Sequence, residues 1–305
     1  MTTDQPTRDI MPTLIRWATA RSSNRAVLLT STRAIPGAPI DALSDYDVIL
    51  IVQDIHPFVA DRAWLHDFGD VLVAYWDPIH PDPAFGIDQC GNVTQYADGL
   101  KIDFTLWPVA LFRRIAAAPV LPAELDAGYQ VLLDKDRLTA TLRSPAFTAY
   151  VPKPPTLTTY QTLINDFLSD APYVAKCLWR DELLPAKWCL DCDMKYTYLR
   201  QVLEWRVEIE HGWSVPVGFL GKGLKKRLQP DIWTAVEQTY VGAQLADNWD
   251  ALANTMALFR RVASEVGAHL GYTYPHDLHQ RVTAYVEHIK RLEPPTVPIR
   301  SDTRR

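Results

Sequence analysis

The sequence predicts an α+β protein, with a mixed sheet and helices in its first half and an all-α second half. Short apolar runs of strand length alternate with loops up to residue 150, and the pattern beyond is helical almost throughout. The segment Val151-Pro-Lys-Pro-Pro155 separates the halves, because its prolines block the continuation of a helix or a sheet. A length of 305 residues is sufficient for two domains.

The first half, residues 1–150, is predicted to form one domain built around a sheet. In chain order, the predicted strands are 26–30, 46–52, 71–76, 93–96, 101–107 and 129–133. Helices are predicted over 8–22, over 58–68 and after Pro108. Residues 77–91 contain three prolines and two glycines and are predicted to be a mobile excursion. The dipeptide Asp98-Gly99 lies between two strand-like runs and predicts a hairpin.

The second half, residues 151–293, is predicted to be a helical domain, followed by a polar, disordered tail over residues 294–305. The predicted helices are 156–169, 173–190, 196–211, 232–241, 245–270 and 284–292. Six residues from Gly218 to Gly223 are rich in glycine but follow no strand, so a connection between helices is favoured over a phosphate loop.

Composition argues against several classes of protein. A net charge of -5 is unlike that of a general nucleic-acid binder, so we expect no nucleic-acid partner. The N-terminus is polar, and no apolar run approaches the roughly 20 residues of a membrane span, so we expect a cytoplasmic protein without membrane contact. Cys189 and Cys192 form a lone C-x-x-C, which we interpret as incidental thiols rather than a redox or metal site. The sequence does not indicate an oligomeric state.

Two aspartates open a buried strand. Asp45 and Asp47 are two residues apart, so on a strand they project to one face, roughly 6–7 Å apart. Two like charges on an apolar strand are costly unless a cation or hydrogen-bond donors compensate them. Mg²⁺, which prefers oxygen ligands, would do so. Taken alone, the pair is equally consistent with Asp45 capping a turn and Asp47 facing water.

A third carboxylate lies on a later strand. Asp103 stands between apolar residues in the run Lys101–Leu106. If this strand lies beside the first, three carboxylates converge, a geometry that holds two metal ions for phosphoryl-type transfer. Asp103 could also accept the proton of an attacking hydroxyl group. The hydroxyl-rich loop at Ser31 and Thr32 could cradle phosphate oxygens, although such loops are common.

Together these features resemble the polymerase-β-like nucleotidyltransferase superfamily, whose pattern is a Gly-Ser turn, an acid-x-acid on the next strand and a third acid on a later strand. Longer segments resemble the aminoglycoside 6-adenylyltransferase (streptomycin adenylyltransferase) family and follow its order along most of the chain. These segments include STRAIPGAPIDALSDYDVILIV, DGLKIDFTL, YVAKCLWRDELLPAK and NWDALANTMALFRRVASEVGAHLGY.

The resemblance implies a Mg²⁺-dependent transfer of AMP from ATP to a hydroxyl group of an aminoglycoside such as streptomycin, with release of pyrophosphate. It implies that Asp45, Asp47 and Asp103 are catalytic and hold the metal. It places the nucleotide against the turn at residues 31–33, where Thr32 stands at the family's phosphate-contacting serine and Arg33 matches the family. Ser31 departs from the pattern by replacing a glycine, and Ile35 departs by replacing a polar residue.

A basic stripe is predicted in the helical domain. On one helix, Tyr173, Lys176, Arg180 and Lys187 would share a face. From spacing alone, a solvated face paired with neighbouring acids is favoured. With the family resemblance, Lys176 and Arg180 become candidate phosphate contacts, whereas Lys187 stays with the solvated face.

Two glutamates are candidate partners for a cationic substrate. An ammonium or guanidinium group needs carboxylates in its pocket, and Glu182 and Glu204 could supply them. An ion pair within the helices is equally consistent for either. None of the eight histidines forms a cluster at metal-ligand spacing, so we expect all of them to be non-catalytic.

Two alternatives to aminoglycoside adenylylation remain open from the sequence. The replacement of glycine by Ser31 would suit a degenerate protein that binds a nucleotide or small molecule without transferring it. Alternatively, the enzyme acts on a different hydroxyl acceptor.

Overall fold

The computed structural model of the chain describes residues 8–293. It comprises two compact units, Met1–Tyr150 and Val151–Arg305. The first contains a mixed sheet with helices and the second is helical, which confirms the predicted α+β class. The tail predicted over residues 294–305 lies outside the described part. Among the helices of residues 8–293, none has both the length and the apolar character needed to cross a bilayer.

The first unit contains all of the predicted strands. They are β1 (Asn24–Thr30), β2 (Tyr46–Val52), β3 (Val71–Trp76), β4 (His80–Pro81), β5 (Asp88–Tyr96), β6 (Lys101–Pro108) and β7 (Tyr129–Asp134). The helices are α1 (Met11–Ala20), α2 (His56–Ala60), α3 (Val109–Ala117) and α4 (Ala123–Asp126). Short 3₁₀ turns lie at Ser31–Ala34, Ala63–Phe68 and Leu138–Thr141.

The segment predicted as an excursion is partly strand. Strand β5 begins at Asp88, and β4 pairs with its start through His80 opposite Gln89. Pro81 is compatible with β4 because a two-residue strand at the edge of a sheet can lack an amide donor. The prediction of an excursion through residue 91 was therefore wrong.

The sheet has the order β3-β5-β6-β2-β1-β7, with β4 added beside β5. Strand β2 pairs antiparallel with β1 and parallel with β6, so the sheet is mixed. Strands β5 and β6 form the hairpin predicted from Asp98-Gly99. Gly99 has a φ of 91°, which glycine adopts without the steric cost of a side chain.

Both faces of β2 are buried, which explains its continuous apolar run. Val48, Leu50 and Val52 pack on one face with α1 and the turn Ala63–Phe68. Ile49 and Ile51 pack on the other face with α3. This packing fixes the register of β2 in the sheet and the face to which each of its side chains points.

The second unit is a bundle around one apolar core. Its helices are α5 (Leu157–Trp179), α6 (Leu183–Lys187), α7 (Arg200–His211), α8 (Leu224–Arg227), α9 (Pro230–Glu237), α10 (Leu245–Leu270) and α11 (His276–Arg291). A π-helical segment covers Trp188–Leu199. At the centre, the rings of Phe167 and Phe259 stack with centroids 3.6 Å apart, joining α5 to α10.

Helix α5 is longer than predicted. Residues 157–179 form one helix that continues through Pro172, although separate helices were predicted over 156–169 and 173–190. Proline removes one helical hydrogen bond, but buried side chains on both sides of it, including Ala171 and Val174, keep the helix against the core. The helix ends where Asp181 takes a left-handed φ of 61°.

Candidate active site

Three predicted carboxylates are brought together at the start of two neighbouring strands. Asp47 on β2 lies directly opposite Asp103 on β6 in the parallel register. Alternation along the strands places both on the face of Ile49 and Trp107, which is the face covered by α3. Asp45 comes one residue before β2 and shares a hydrogen-bonding partner with Asp103.

That shared partner is Lys101, the first residue of β6. Its Nζ donates to Asp45 Oδ2 at 2.6 Å and to Asp103 Oδ2 at 3.0 Å. Burial of Lys101 opposes its charge, but the two carboxylates outweigh this effect and hold the pKa of Lys101 above its ordinary value. A lysine therefore bridges the two outer carboxylates of the site.

Asp47 is the least compensated of the three aspartates. Burial, together with the negative charge of Asp103, raises the pKa of Asp47 to about 6, although a hydrogen bond from the Ser31 side chain opposes the shift. Burial likewise raises the pKa of Asp103 in spite of Lys101. The Oδ1 atom of Asp103 is buried without a hydrogen-bond partner.

These features fit a divalent cation. Asp103 Oδ1 is an orphaned buried oxygen, and buried negative charge is costly unless it is paired or coordinates a metal. Carboxylate oxygens are the ligand type that Mg²⁺ prefers. The three aspartates therefore form a donor set whose chemistry suits a divalent cation, and each is only partly exposed.

The hydroxyl-rich turn leads from β1 toward Asp47. Thr30, at the end of β1, lies opposite Asp47 in the antiparallel register, and the turn Ser31–Ala34 follows. Ser31 has a φ of 60°, in the left-handed region that glycine adopts freely and that costs other residues roughly 1–2 kcal/mol. The turn thus keeps a glycine-like backbone at Ser31, and Thr32 is only partly exposed beside it.

Arg33 joins this turn to the start of β2. Its guanidinium donates to the backbone carbonyl of Ser44 at 2.8 Å and to that of Asp45 at 3.0 Å. It also lies 3.9 Å from the ring centroid of Tyr46. In this structure Arg33 holds the backbone that carries Asp45.

The predicted basic stripe is divided between two helices. Lys176 and Arg180 are exposed at the end of α5, and neither forms an ion pair within residues 8–293. Lys176 lies over the ring of Tyr285 at 5.9 Å. Lys187 belongs to α6 and pairs with Asp191 at 2.8 Å. The four-residue stripe on a single helix therefore does not form.

The two predicted substrate carboxylates differ in exposure. Glu182 is exposed after the end of α5. Glu204 on α7 is only 9% exposed and forms a salt bridge with Arg200. Burial raises the pKa of Glu204 although Arg200 opposes the shift. Arg200 therefore already provides Glu204 with a cationic partner inside the protein.

The C-x-x-C pair does not act as a unit in the structure. Cys192 is exposed, whereas Cys189 is buried and lies with Asp170 and Asp193 in a cluster whose ligand atoms are within 4.8 Å of one another. Burial raises the pKa of Cys189 to about 12, so its thiol is protonated at neutral pH. This cluster could not be predicted from the sequence, because Asp170 lies on α5 whereas Cys189 and Asp193 lie in the π-helical segment.

A family model described as streptomycin adenylyltransferase matches residues 5–289. The chain belongs to the streptomycin adenylyltransferase family. It is therefore an enzyme of the nucleotidyltransferase class. The three carboxylates that the resemblance implies as site residues lie near one another in the structure.

The relatives match over nearly their full length. An aminoglycoside 6-adenylyltransferase of Bacillus subtilis (strain 168) is 29% identical over 286 residues, covering 92% of this chain and 97% of the relative. One from Campylobacter jejuni is 27% identical over 271 residues, covering 88% and 90%. A crystal structure of an aminoglycoside 6-adenyltransferase from Bacillus subtilis, 24% identical, matches with a TM-score of 0.44 over 95% of this chain and all of that chain.

Lys101 was not predicted from the sequence to belong to the site. The segment DGLKIDFTL was used for its aspartate, but the lysine two residues earlier was not considered. Residues i and i+2 of a strand project to the same face, so alternation alone places Lys101 beside Asp103. Its second contact, to Asp45, depends on the pairing of β2 with β6 and requires the structure.

Proposed function

We propose that this enzyme transfers AMP from ATP to a hydroxyl group of an aminoglycoside, with streptomycin as the first acceptor to test, in a reaction that requires Mg²⁺. The match to the streptomycin adenylyltransferase family over residues 5–289 carries this proposal. The adjacent carboxylates of Asp45, Asp47 and Asp103 support it, since nucleotidyl transfer needs a site that can hold divalent metal beside a triphosphate.

In the proposed reaction, the acceptor oxygen attacks the α-phosphorus of ATP, the bond to the β-phosphate oxygen breaks and pyrophosphate leaves. Asp45, Asp47 and Asp103 would hold Mg²⁺. When bound, Mg²⁺ neutralises charge on the triphosphate and on the attacking and leaving oxygens. We assign to Asp103 the acceptance of the hydroxyl proton, because its Oδ1 has no hydrogen-bond partner and burial raises its pKa.

The remaining site residues are proposed as contacts to the two substrates. The turn at Ser31 and Thr32 would donate to phosphate oxygens, and Arg33 would hold that turn in place. Lys176 and Arg180 would contact phosphates, since both are exposed and carry no ion pair within residues 8–293. Glu182 and Glu204 would contact cationic groups of the aminoglycoside, and Glu204 could do so only by sharing or leaving Arg200.

Release of pyrophosphate tests the reaction. Purified protein is incubated with ATP and Mg²⁺, with and without streptomycin, and pyrophosphate is measured. Release that depends on streptomycin supports the proposal. Release that depends on another aminoglycoside, or on an unrelated hydroxyl compound, assigns a different acceptor. No release with any acceptor contradicts the proposed activity.

Metal affinity should depend on pH with a midpoint set by Asp47. Its pKa is about 6, so a proton competes with metal for this carboxylate below pH 6 and not above pH 7. We expect the affinity for Mn²⁺, used as a probe, to fall by about fivefold between pH 6 and pH 5, because a single proton competes for this carboxylate. Calorimetric titration from pH 5 to pH 8 measures this. An affinity that is flat down to pH 5 contradicts it.

A second candidate function, binding without transfer, is favoured by one observation. Ser31 adds a Cβ in a left-handed conformation where the family has glycine, and its side chain hydrogen-bonds to Asp47. If the enzyme is active, Ser31→Gly should change kcat/KM by less than about tenfold. Glycine relieves the strain of the left-handed backbone, and the variant loses the side-chain hydrogen bond to Asp47; each effect is worth roughly 1 kcal/mol.

The same variant separates the two functions. Wild-type protein that binds nucleotide without turnover, combined with strong activity in Ser31→Gly, would support the binding function. Ser22→Gly is a suitable control, because it replaces an exposed serine that precedes β1 and leaves the turn after β1 unchanged. Steady-state kinetics and calorimetric nucleotide binding on all three proteins provide the comparison.

A further inference from the structure

Lys101 occupies an unusual position for a lysine. Its ammonium group bridges the two outer carboxylates of the triad, and its side chain is only 29% exposed. The bridge joins different parts of the chain, because Asp103 is on the same strand whereas Asp45 is 56 residues away. Lys101 thus gives the site a cation of its own.

The charges of the site explain why such a cation is useful. Three carboxylates that converge without metal repel one another. Lys101 offsets one of the three negative charges and leaves two, which one divalent ion would balance. The ammonium also uses Oδ2 of both outer aspartates, and these oxygens are potential metal ligands.

The geometry indicates which contact can be released. Lys101 and Asp103 are two residues apart on β6 and share a face, so their contact is local and persists while the strand is intact. Asp45 lies outside β2, and only Lys101 bonds to its carboxylate within residues 8–293. Moreover, the three aspartates do not offer one carboxylate oxygen each such that all three oxygens lie within 4.8 Å of one another.

We propose that Lys101 is a built-in counter-cation that competes with divalent metal for the aspartate triad and releases Asp45 when metal binds. Before metal binds, Lys101 holds the carboxylates of the triad together. Its positive charge lowers the affinity of the triad for metal. Binding of metal therefore requires Asp45 to move from the ammonium to the ion, while Lys101 stays with Asp103. This inference rests on the proposed metal-dependent function.

A purely structural role makes a different prediction. If Lys101 only ties β6 to the start of β2, its removal destabilises the protein and loosens Asp45, so metal affinity falls or stays the same. If it is a counter-cation, its removal eliminates repulsion between the ammonium and a divalent ion held by the same carboxylates, so metal affinity rises by at least about tenfold. The direction of the change in affinity therefore distinguishes the two roles.

The test compares wild-type protein with Lys101→Met, Lys101→Gln and Lys101→Arg, using Mn²⁺ alone as the probe at pH 7.5. Calorimetry should show a Kd at least about tenfold lower for both neutral variants and a value near wild type for Lys101→Arg. In chelator, the neutral variants should have a lower Tm, and Mn²⁺ should raise it by more than in wild type. Lys153→Met removes an equal charge from an exposed position and should leave the Kd unchanged.

The outcomes separate this inference from the proposed function. Wild-type protein that does not bind Mn²⁺ would overturn both. Wild-type protein that binds Mn²⁺, with equal or weaker binding by the folded neutral variants, would overturn the counter-cation role and leave the metal-dependent function standing. Because two neutral variants are tested, the comparison remains valid if one of these proteins does not fold.

Discussion

Replacing Asp47 by asparagine is expected to lower AMP transfer by at least about 10³-fold, because the site loses a metal ligand at its centre and charge stabilisation is usually the largest contribution to such catalysis. Asp47 lies opposite Asp103 on one side and Thr30 on the other, so an isosteric amide keeps the strand register. Pyrophosphate release at saturating ATP and Mg²⁺ measures the effect.

The fold of this variant should be intact, and the reason follows from the pKa of Asp47. The pKa rises from an ordinary value of 3.8 to about 6 in the folded state, so ionisation of Asp47 costs folding free energy as the pH passes through this range. At pH 7, a neutral asparagine avoids that cost, and the metal-free Tm should be equal to or higher than that of wild type.

The control for Asp47 is Asp70→Asn, an exposed aspartate in the same unit. It should retain wild-type turnover. Turnover by Asp47→Asn within tenfold of wild type, on a folded protein, would contradict a role for Asp47 in the reaction. A lower metal-free Tm would contradict the charge argument but not the role in catalysis.

Replacing Phe104 by alanine is expected to destabilise the first unit by about 3–5 kcal/mol. Phe104 follows Asp103 on β6, points to the opposite face of the sheet and is 1% exposed. Its ring centroid lies 4.9 Å from that of Trp64 and 5.4 Å from that of Phe68. Removal of the ring leaves a cavity in the aromatic core behind the carboxylates.

Hydrogen exchange resolved by mass spectrometry measures this effect locally, because a global unfolding curve would combine two units. Amides of β1 and β2 should lose protection in Phe104→Ala, whereas those of α5 and α10 in the other unit should not. Phe104→Leu keeps most of the volume and should cost about 1–2 kcal/mol. A loss below about 1 kcal/mol for the alanine variant would contradict the packing described for Phe104.

Periodicity predicted the strands that carry the site, since their apolar runs are long and bounded by clear turns. Asp98-Gly99 identified the β5–β6 hairpin because few dipeptides suit a tight turn so well. The order of the strands could not be derived from periodicity alone. The parallel pairing of β2 with β6, which sets Asp47 opposite Asp103, depends on contacts distant in sequence.

The features that were predicted wrongly or missed from the sequence have related physical causes. Pro172 normally interrupts a helix, but burial of the neighbouring turns in the bundle core outweighs the lost hydrogen bond. The prolines of residues 77–91 indicated a loop, yet an edge strand accommodates Pro81. Lys101 was missed because its importance comes from two partners, only one of which is near it in sequence.

Transfer of label from ATP to streptomycin tests the central claim most directly. Two reactions are run with Mg²⁺, one with ATP labelled at the α-phosphate and one with ATP labelled at the γ-phosphate, and the antibiotic is isolated by chromatography and mass spectrometry. The proposed reaction predicts that label from the α-phosphate, together with the mass of one adenylyl group, appears on streptomycin, while label from the γ-phosphate leaves with pyrophosphate. Unlabelled streptomycin in both reactions, or label on it only from the γ-phosphate, would contradict adenylyl transfer to this acceptor.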